Sequence, residues 1–166
     1  SGRIDLTGKP LGEALYTKVA YELDNGPYIA VRPLCHKKKS HSPSAWKMTN
    51  AQPSWSWRGW EGKKAHVEVY ARAAAVELFL NGTSVGKKTM KNDCLFHFHV
   101  PYENGTLEAV SYDANGREIS RNALTTAGEE TMLRAVPEQE TVEKGHLCLI
   151  RLQYTYKNGT VKPTER

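Results

Sequence analysis

Apolar and polar residues alternate along most of this chain, and the alternation is the period-two pattern of a half-buried strand. In His66-Val-Glu-Val-Tyr-Ala71, Val67, Val69 and Ala71 share one face while His66, Glu68 and Tyr70 take the other. Val76, Leu78 and Leu80 repeat the pattern, and so do Phe96, Phe98 and Val100, set against His97 and His99. The runs GTLEAVSYD, REISRNAL and LCLIRLQYTY follow, the last with Ile150, Leu152, Tyr154 and Tyr156 on one side. Short strands at this spacing, with almost no helical periodicity after Tyr21, predict an all-β fold, an immunoglobulin-like antiparallel β-sandwich.

Between the runs stand five Asn-Gly pairs, at Asn25, Asn81, Asn104, Asn115 and Asn158. Both residues tolerate positive φ, which tight hairpins demand, so the pairs mark strand reversals. Asn81, Asn104 and Asn158 also match the glycosylation sequon Asn-x-Thr, but turn chemistry already accounts for them. One segment breaks the pattern: Leu11, Leu15 and Val19 recur at helical spacing behind Pro10, which predicts one short N-terminal helix outside the sheet. The organisation expected is residues 1–26 as the tail of a preceding domain, 27–129 as the sandwich, and 130–166 as the start of a further immunoglobulin-like unit, with the chain beginning inside a longer polypeptide.

Composition narrows the classes. A chain of 166 residues with 25% charged and 39% apolar residues is an ordinary globular balance, and no apolar run reaches the ~20 residues of a membrane-spanning helix. The net charge of +5 draws on Lys37, Lys38 and Lys39 and on Lys87, Lys88 and Lys91. No aromatic RNA-binding motif, zinc-knuckle spacing or basic helix face accompanies them, so these read as solvated loop lysines and no nucleic-acid partner is expected. Cys35, Cys94 and Cys148 are too far apart for a CxxC site and odd in number, so free thiols are expected.

Candidate chemistry is sparse. His97 and His99 project from one strand face, and His66 or Cys94 can be imagined as a third donor for zinc or copper. Alternating polar residues on a solvent face explain the pair equally well, no third donor has a recognisable spacing, and the expectation is no metal and no cofactor. Gly82-Thr-Ser-Val-Gly86 resembles a nucleophile elbow only superficially, because it follows a hairpin turn and leads into no helix. Glu61, Glu68, Glu77 and Glu108 read as exposed, with none of the paired placement that sugar hydrolysis needs, so no catalytic residue is assigned. The strongest signal is Trp46, Trp55, Trp57 and Trp60, within fifteen residues of one another. Indole faces stack on sugar rings, which makes Trp46, Trp57 and Trp60 candidates for carbohydrate contact, but so large an apolar area rarely stays exposed without a partner, and the expected role is the plug at the end of a sandwich.

The same residues carry a resemblance. SGRIDLTGKP resembles the segment that closes the catalytic barrel of glycoside hydrolase family 2, the β-galactosidase type. Trp55-Ser-Trp57-Arg-Gly-Trp-Glu61-Gly62, Val67-Glu-Val-Tyr70, Val76-Glu-Leu-Phe-Leu-Asn-Gly82, Gly105-Thr-Leu-Glu-Ala-Val110 and Thr126-Ala-Gly128 are similar, in order, to the sandwich that follows that barrel. LIRLQYTYKNGTVKP resembles the opening of the next immunoglobulin-like domain. The resemblance implies a retaining glycosidase whose two catalytic glutamates lie on the barrel, at positions with no counterpart among these residues. The expected role is a non-catalytic accessory domain of a β-galactosidase-like enzyme of carbohydrate metabolism, partnered by the barrel and downstream domains of the same polypeptide. A carbohydrate-binding module with a tryptophan platform, or an interaction sandwich independent of sugar, remain the alternatives. No compartment is specified beyond the expectation of a bacterial cytoplasm or periplasm.

Overall fold

A computed structural model describes residues 4, 9–35, 48–91, 93–128, 130–157 and 159. The chain divides into two compact units, 1–126 and 127–166. The first holds helix α1 (Gly12–Ala20) and strands β1 (Tyr28–Val31), β2 (Lys64–Tyr70), β3 (Ala75–Leu80), β4 (Thr83–Thr89), β5 (Leu95–Pro101), β6 (Thr106–Tyr112) and β7 (Glu118–Thr125). The second holds β8 (Thr131–Pro137) and β9 (Ile150–Tyr156).

The seven strands of the first unit form two antiparallel sheets, β1-β2-β5 and β4-β3-β6-β7. This is the immunoglobulin-like sandwich, with the fourth strand hydrogen-bonded beside β3; in the constant-type arrangement it lies on the other sheet beside the fifth. The faces the alternation marks as apolar meet between the sheets. Val67, Val69, Phe96, Phe98 and Val100 pack against Val76, Leu78, Leu80, Leu107 and Ala109 in one continuous buried cluster. Three of the Asn-Gly pairs fall at hairpin turns, whereas Asn25-Gly26 lies between α1 and β1 and reverses no pair of strands. Asn81 and Gly82, both at positive φ, join β3 to β4, Asn104-Gly105 joins β5 to β6, and Asn115-Gly116 joins β6 to β7; Asn158 lies outside the described residues. At Gly105 (φ +134°) a Cβ would come within 1.8 Å of the Asn81 Oδ1 that accepts from the Thr106 amide, so only glycine lets the two turns lock together.

Lys87 and Lys88 lie on β4 instead of in the loop expected from the sequence. β4 is exposed and forms the edge of the four-stranded sheet, where lysines discourage pairing with another chain. Lys37 to Lys39 lie outside the described residues. Among the described residues no helix is long and apolar enough to cross a membrane.

The helix forms where its spacing predicts, but it is docked on the outer face of β1-β2-β5. Leu15 and Val19 make a second apolar cluster with Ala30, Ala51, Tyr70 and Cys94. The approach is close: a Cβ on Gly12 would meet the Tyr70 hydroxyl at 2.7 Å and the Ala51 carbonyl at 2.9 Å. Arg72 donates from its guanidinium to the carbonyls of Val19 and Ala20 in the last turn of the helix.

In the second unit β8 and β9 pair in an antiparallel hairpin whose register brings Leu133, Ala135 and Pro137 opposite Tyr154, Leu152 and Ile150. Leu133, Ile150, Leu152 and Tyr154 are exposed.

Candidate functional site

The outer face of the three-stranded sheet is where the polar half of the alternation collects. β2 contributes His66, Glu68 and Tyr70, and β5 contributes Leu95, His97 and His99, with Glu68 opposite His97 and His66 opposite His99 in the ladder. Two elements cover this face. One is α1; the other is the segment from Thr49 to Gln52, held to the edge of β1 by reciprocal Val31–Gln52 backbone hydrogen bonds of 2.8 and 2.9 Å. Beneath them Glu68 is 2% exposed. That corrects its reading as an exposed strand position: strand periodicity specifies which face a side chain takes, and the elements that roof this face lie elsewhere in the sequence.

A buried carboxylate needs partners, and Glu68 has three. Its Oε1 accepts from Arg32 Nε at 2.7 Å and from the Thr49 hydroxyl at 3.0 Å, and its Oε2 accepts from the Tyr70 hydroxyl at 2.6 Å. Burial by itself would raise the carboxyl pKa, but the hydrogen bonds from Tyr70, Arg32 and Thr49 outweigh it and hold the group below the ordinary carboxylate value. Burial, followed by the adjacent Glu68 charge, pushes the Tyr70 phenol well above its usual value. A cavity of about 280 Å³ adjoins this cluster, with Glu13, Tyr16, Arg32, Glu68 and His97 in its wall. Glu13 is buried as well, and its Oε1 accepts from the Met48 amide.

Two carboxylates beside one cavity invite comparison with a glycosidase pair, but Glu68 is the wrong kind of acid. A general acid needs a raised pKa and a proton to give, and Glu68 is held as an anion. Its oxygens accept three hydrogen bonds, which tie Arg32 and Thr49 to β2, while Tyr70 in turn packs against α1.

The histidines meet on the same face. His66 Nε2 lies 2.9 Å from His97 Nδ1, and the His66 ring stacks at 4.6 Å on that of His99. Burial first, then the Arg32 charge, lowers the His66 pKa to about 4, so its imidazole is neutral at neutral pH. Of the two third donors imagined from sequence, His66 is brought to His97. Cys94 is instead buried in the apolar cluster beneath α1.

Residues 62–120 match the domain family described as "Domain of unknown function (DUF4982)". Over 91 residues, 52% of this chain and 9% of the relative, the sequence is 43% identical to a Formosa agariphila protein provisionally named a beta-glucuronidase. Over 115 residues, 67% of this chain and 13% of the relative, it is 28% identical to the beta-galactosidase BoGH2A of Bacteroides ovatus. The crystal structure of a glycosyl hydrolase family 2 member from Bacteroides cellulosilyticus superposes on 96% of this chain with a TM-score of 0.80 and 29% identity. Over most of its length this chain is thus similar to one part of glycoside hydrolase family 2 proteins. It spans 22% of the length of that crystallised protein, and a smaller share of the two sequence relatives.

Trp55, Trp57 and Trp60 gather at one end of the sandwich. Trp55 and Trp57 are both in the main core, Trp57 at 2% exposure, and the Trp55 ring meets Tyr102 edge-on at 4.9 Å. The Tyr102 hydroxyl accepts from the Trp57 amide at 2.9 Å and donates to Asn104 Oδ1 at 2.9 Å, while Thr126 donates to the Trp55 carbonyl at 2.8 Å. Residues 55–57, the β5–β6 turn and the end of β7 are thereby tied together. Of the three carbohydrate-contact candidates, Trp57 has its ring inside the core, Trp60 is half-buried against it, and Trp46 lies outside the described residues. What the sequence reading missed is the Arg32–Thr49–Glu68–Tyr70 network. Its one legible sign was Glu68 sharing a strand face with Tyr70, a residue type that is usually hydrogen-bonded when buried.

Proposed function

We propose that this chain is a non-catalytic accessory sandwich of a β-galactosidase- or β-glucuronidase-type glycoside hydrolase. In this reading it packs against the catalytic barrel of the same polypeptide and positions the domains that follow. The observation that carries it is that 96% of the chain superposes on only 22% of a family 2 hydrolase. The side chains support it: the Trp55 and Trp57 indoles lie inside the core, and Glu68, the most buried carboxylate among the described residues, accepts hydrogen bonds from Arg32, Thr49 and Tyr70.

The test is hydrolysis of p-nitrophenyl β-galactoside and β-glucuronide by the isolated chain, with tryptophan fluorescence followed during titration with galactose and glucuronic acid. No turnover and no saturable quenching are expected. Turnover abolished by Glu68→Gln would overturn the accessory reading in favour of a site on this face. Saturable quenching lost in Trp60→Ala would instead favour a carbohydrate-binding module.

A further inference from the structure

We propose that the outer face of β1-β2-β5 carries a binding site for one divalent transition-metal ion of the zinc class, with His66, His97 and Glu68 as its protein ligands. This departs from the sequence-based expectation of no metal, and it stands independently of the glycosidase reading.

The argument rests on the donor set and its placement. One ring nitrogen each of His66 and His97 and a Glu68 carboxylate oxygen all lie within 4.8 Å of one another. Around a tetrahedral zinc with bonds of about 2.0–2.2 Å, donor atoms sit roughly 3.3–3.5 Å apart. The two imidazole nitrogens, now at 2.9 Å, therefore need to part by about half an ångström, and the carboxylate to close by no more than about 1.5 Å. The ladder pairs Glu68 with His97 and His66 with His99 across a continuous seven-pair register, so the three ligands come from adjacent positions of one rigid surface.

Two imidazoles and one carboxylate are a donor set for zinc, nickel or copper, and a poor one for magnesium or calcium, which prefer oxygen. The surroundings are those of a supported site. Arg32, Thr49 and Tyr70 already hold the carboxylate by hydrogen bonds, as outer-sphere groups do around metal ligands. His97 is only partly covered and borders the cavity, which leaves that side open to a fourth, non-protein ligand. The guanidinium of Arg32 beside the carboxylate opposes a second positive charge, so the affinity expected is micromolar and not that of a closed structural site.

The competing account is a plain histidine–histidine hydrogen bond next to an ion pair, and metal uptake separates the two. The intact chain, stripped with EDTA, is titrated with cobalt(II) by visible absorption and with zinc(II) by calorimetry. Expected are one ion per chain, a tetrahedral cobalt spectrum, and a loss of affinity greater than about 100-fold in both His66→Ala and His97→Ala, since loss of even an outer-sphere partner costs 10- to 100-fold. His99→Ala, outside the donor set, is expected to bind as the parent does. No uptake would overturn the proposal, as would uptake that His97→Ala leaves unchanged or a thiolate-to-cobalt charge-transfer band, which would put the ion on a cysteine. Should His66→Ala lose its fold, the partly exposed His97→Ala decides by itself, with circular dichroism certifying its fold.

Discussion

The two faces of the β1-β2-β5 sheet are built from the same strands and stabilised by different physics. On the inner face Val67, Val69, Phe96, Phe98 and Val100 lose contact with water against the opposing sheet, an attraction that is roughly proportional to apolar area and largely indifferent to direction. On the outer face Glu68 is buried to the same degree, and its burial is sustainable only because Arg32, Thr49 and Tyr70 reach it in hydrogen-bonding geometry. A loss on the inner face should therefore scale with volume removed. A loss on the outer face should depend on which partner is removed, and on whether the group left behind can reach water.

The largest effect is expected inside. Trp57→Ala should cost about 3 to 5 kcal/mol in urea unfolding, as large aromatic truncations in cores do; a change under about 1 kcal/mol would mean the ring is not buried and would erase the contrast between the faces. The outer face comes next, and its prediction is an asymmetry. Arg32→Met leaves the Glu68 carboxylate buried and without its counter-charge, and should cost roughly 3 kcal/mol, the low end for such a loss because Tyr70 and Thr49 still donate. Glu68→Gln leaves behind an Arg32 side chain that is 37% exposed and able to solvate itself, and should cost only about 1 to 2 kcal/mol. Equal costs, or the reverse order, would show that the network is not organised around a buried charge. Smallest is His99→Ala, at an exposed position on the same face, expected within about 0.5 kcal/mol of the parent.

A second comparison, between the units, sharpens the first. β8 and β9 have the same apolar alternation as β2 and β5, yet Leu133, Leu152 and Tyr154 stand exposed while Val67, Val69 and Phe98 are fully covered. Alternation makes a face; whether the face is buried depends on what lies opposite. The tryptophans illustrate the same point. From sequence the plug was the expected role and a platform of Trp46, Trp57 and Trp60 the alternative, and in the structure the Tyr102 ring and the hydrogen bonds of Tyr102 and Thr126 surround Trp55 and Trp57 in the core.

Much of the sandwich was readable in the residues alone. The period-two runs named the core side chains of β2, β3 and β5, three of the Asn-Gly pairs placed hairpins, and Pro10 with Leu15 and Val19 announced the helix, because each of these signals is local and comes from backbone sterics or side-chain direction. The site was not readable in that way. Glu68 is 36 residues from Arg32 and 19 from Thr49, and His66 is 31 from His97. Their meeting depends on strand register, on the seating of α1 through Gly12 against Tyr70 and Ala51, and on the Val31–Gln52 bridge. Local chemistry determined which side chains face the same way. Only non-local packing decided which of those faces would be dry, and hence which polar groups had to find one another.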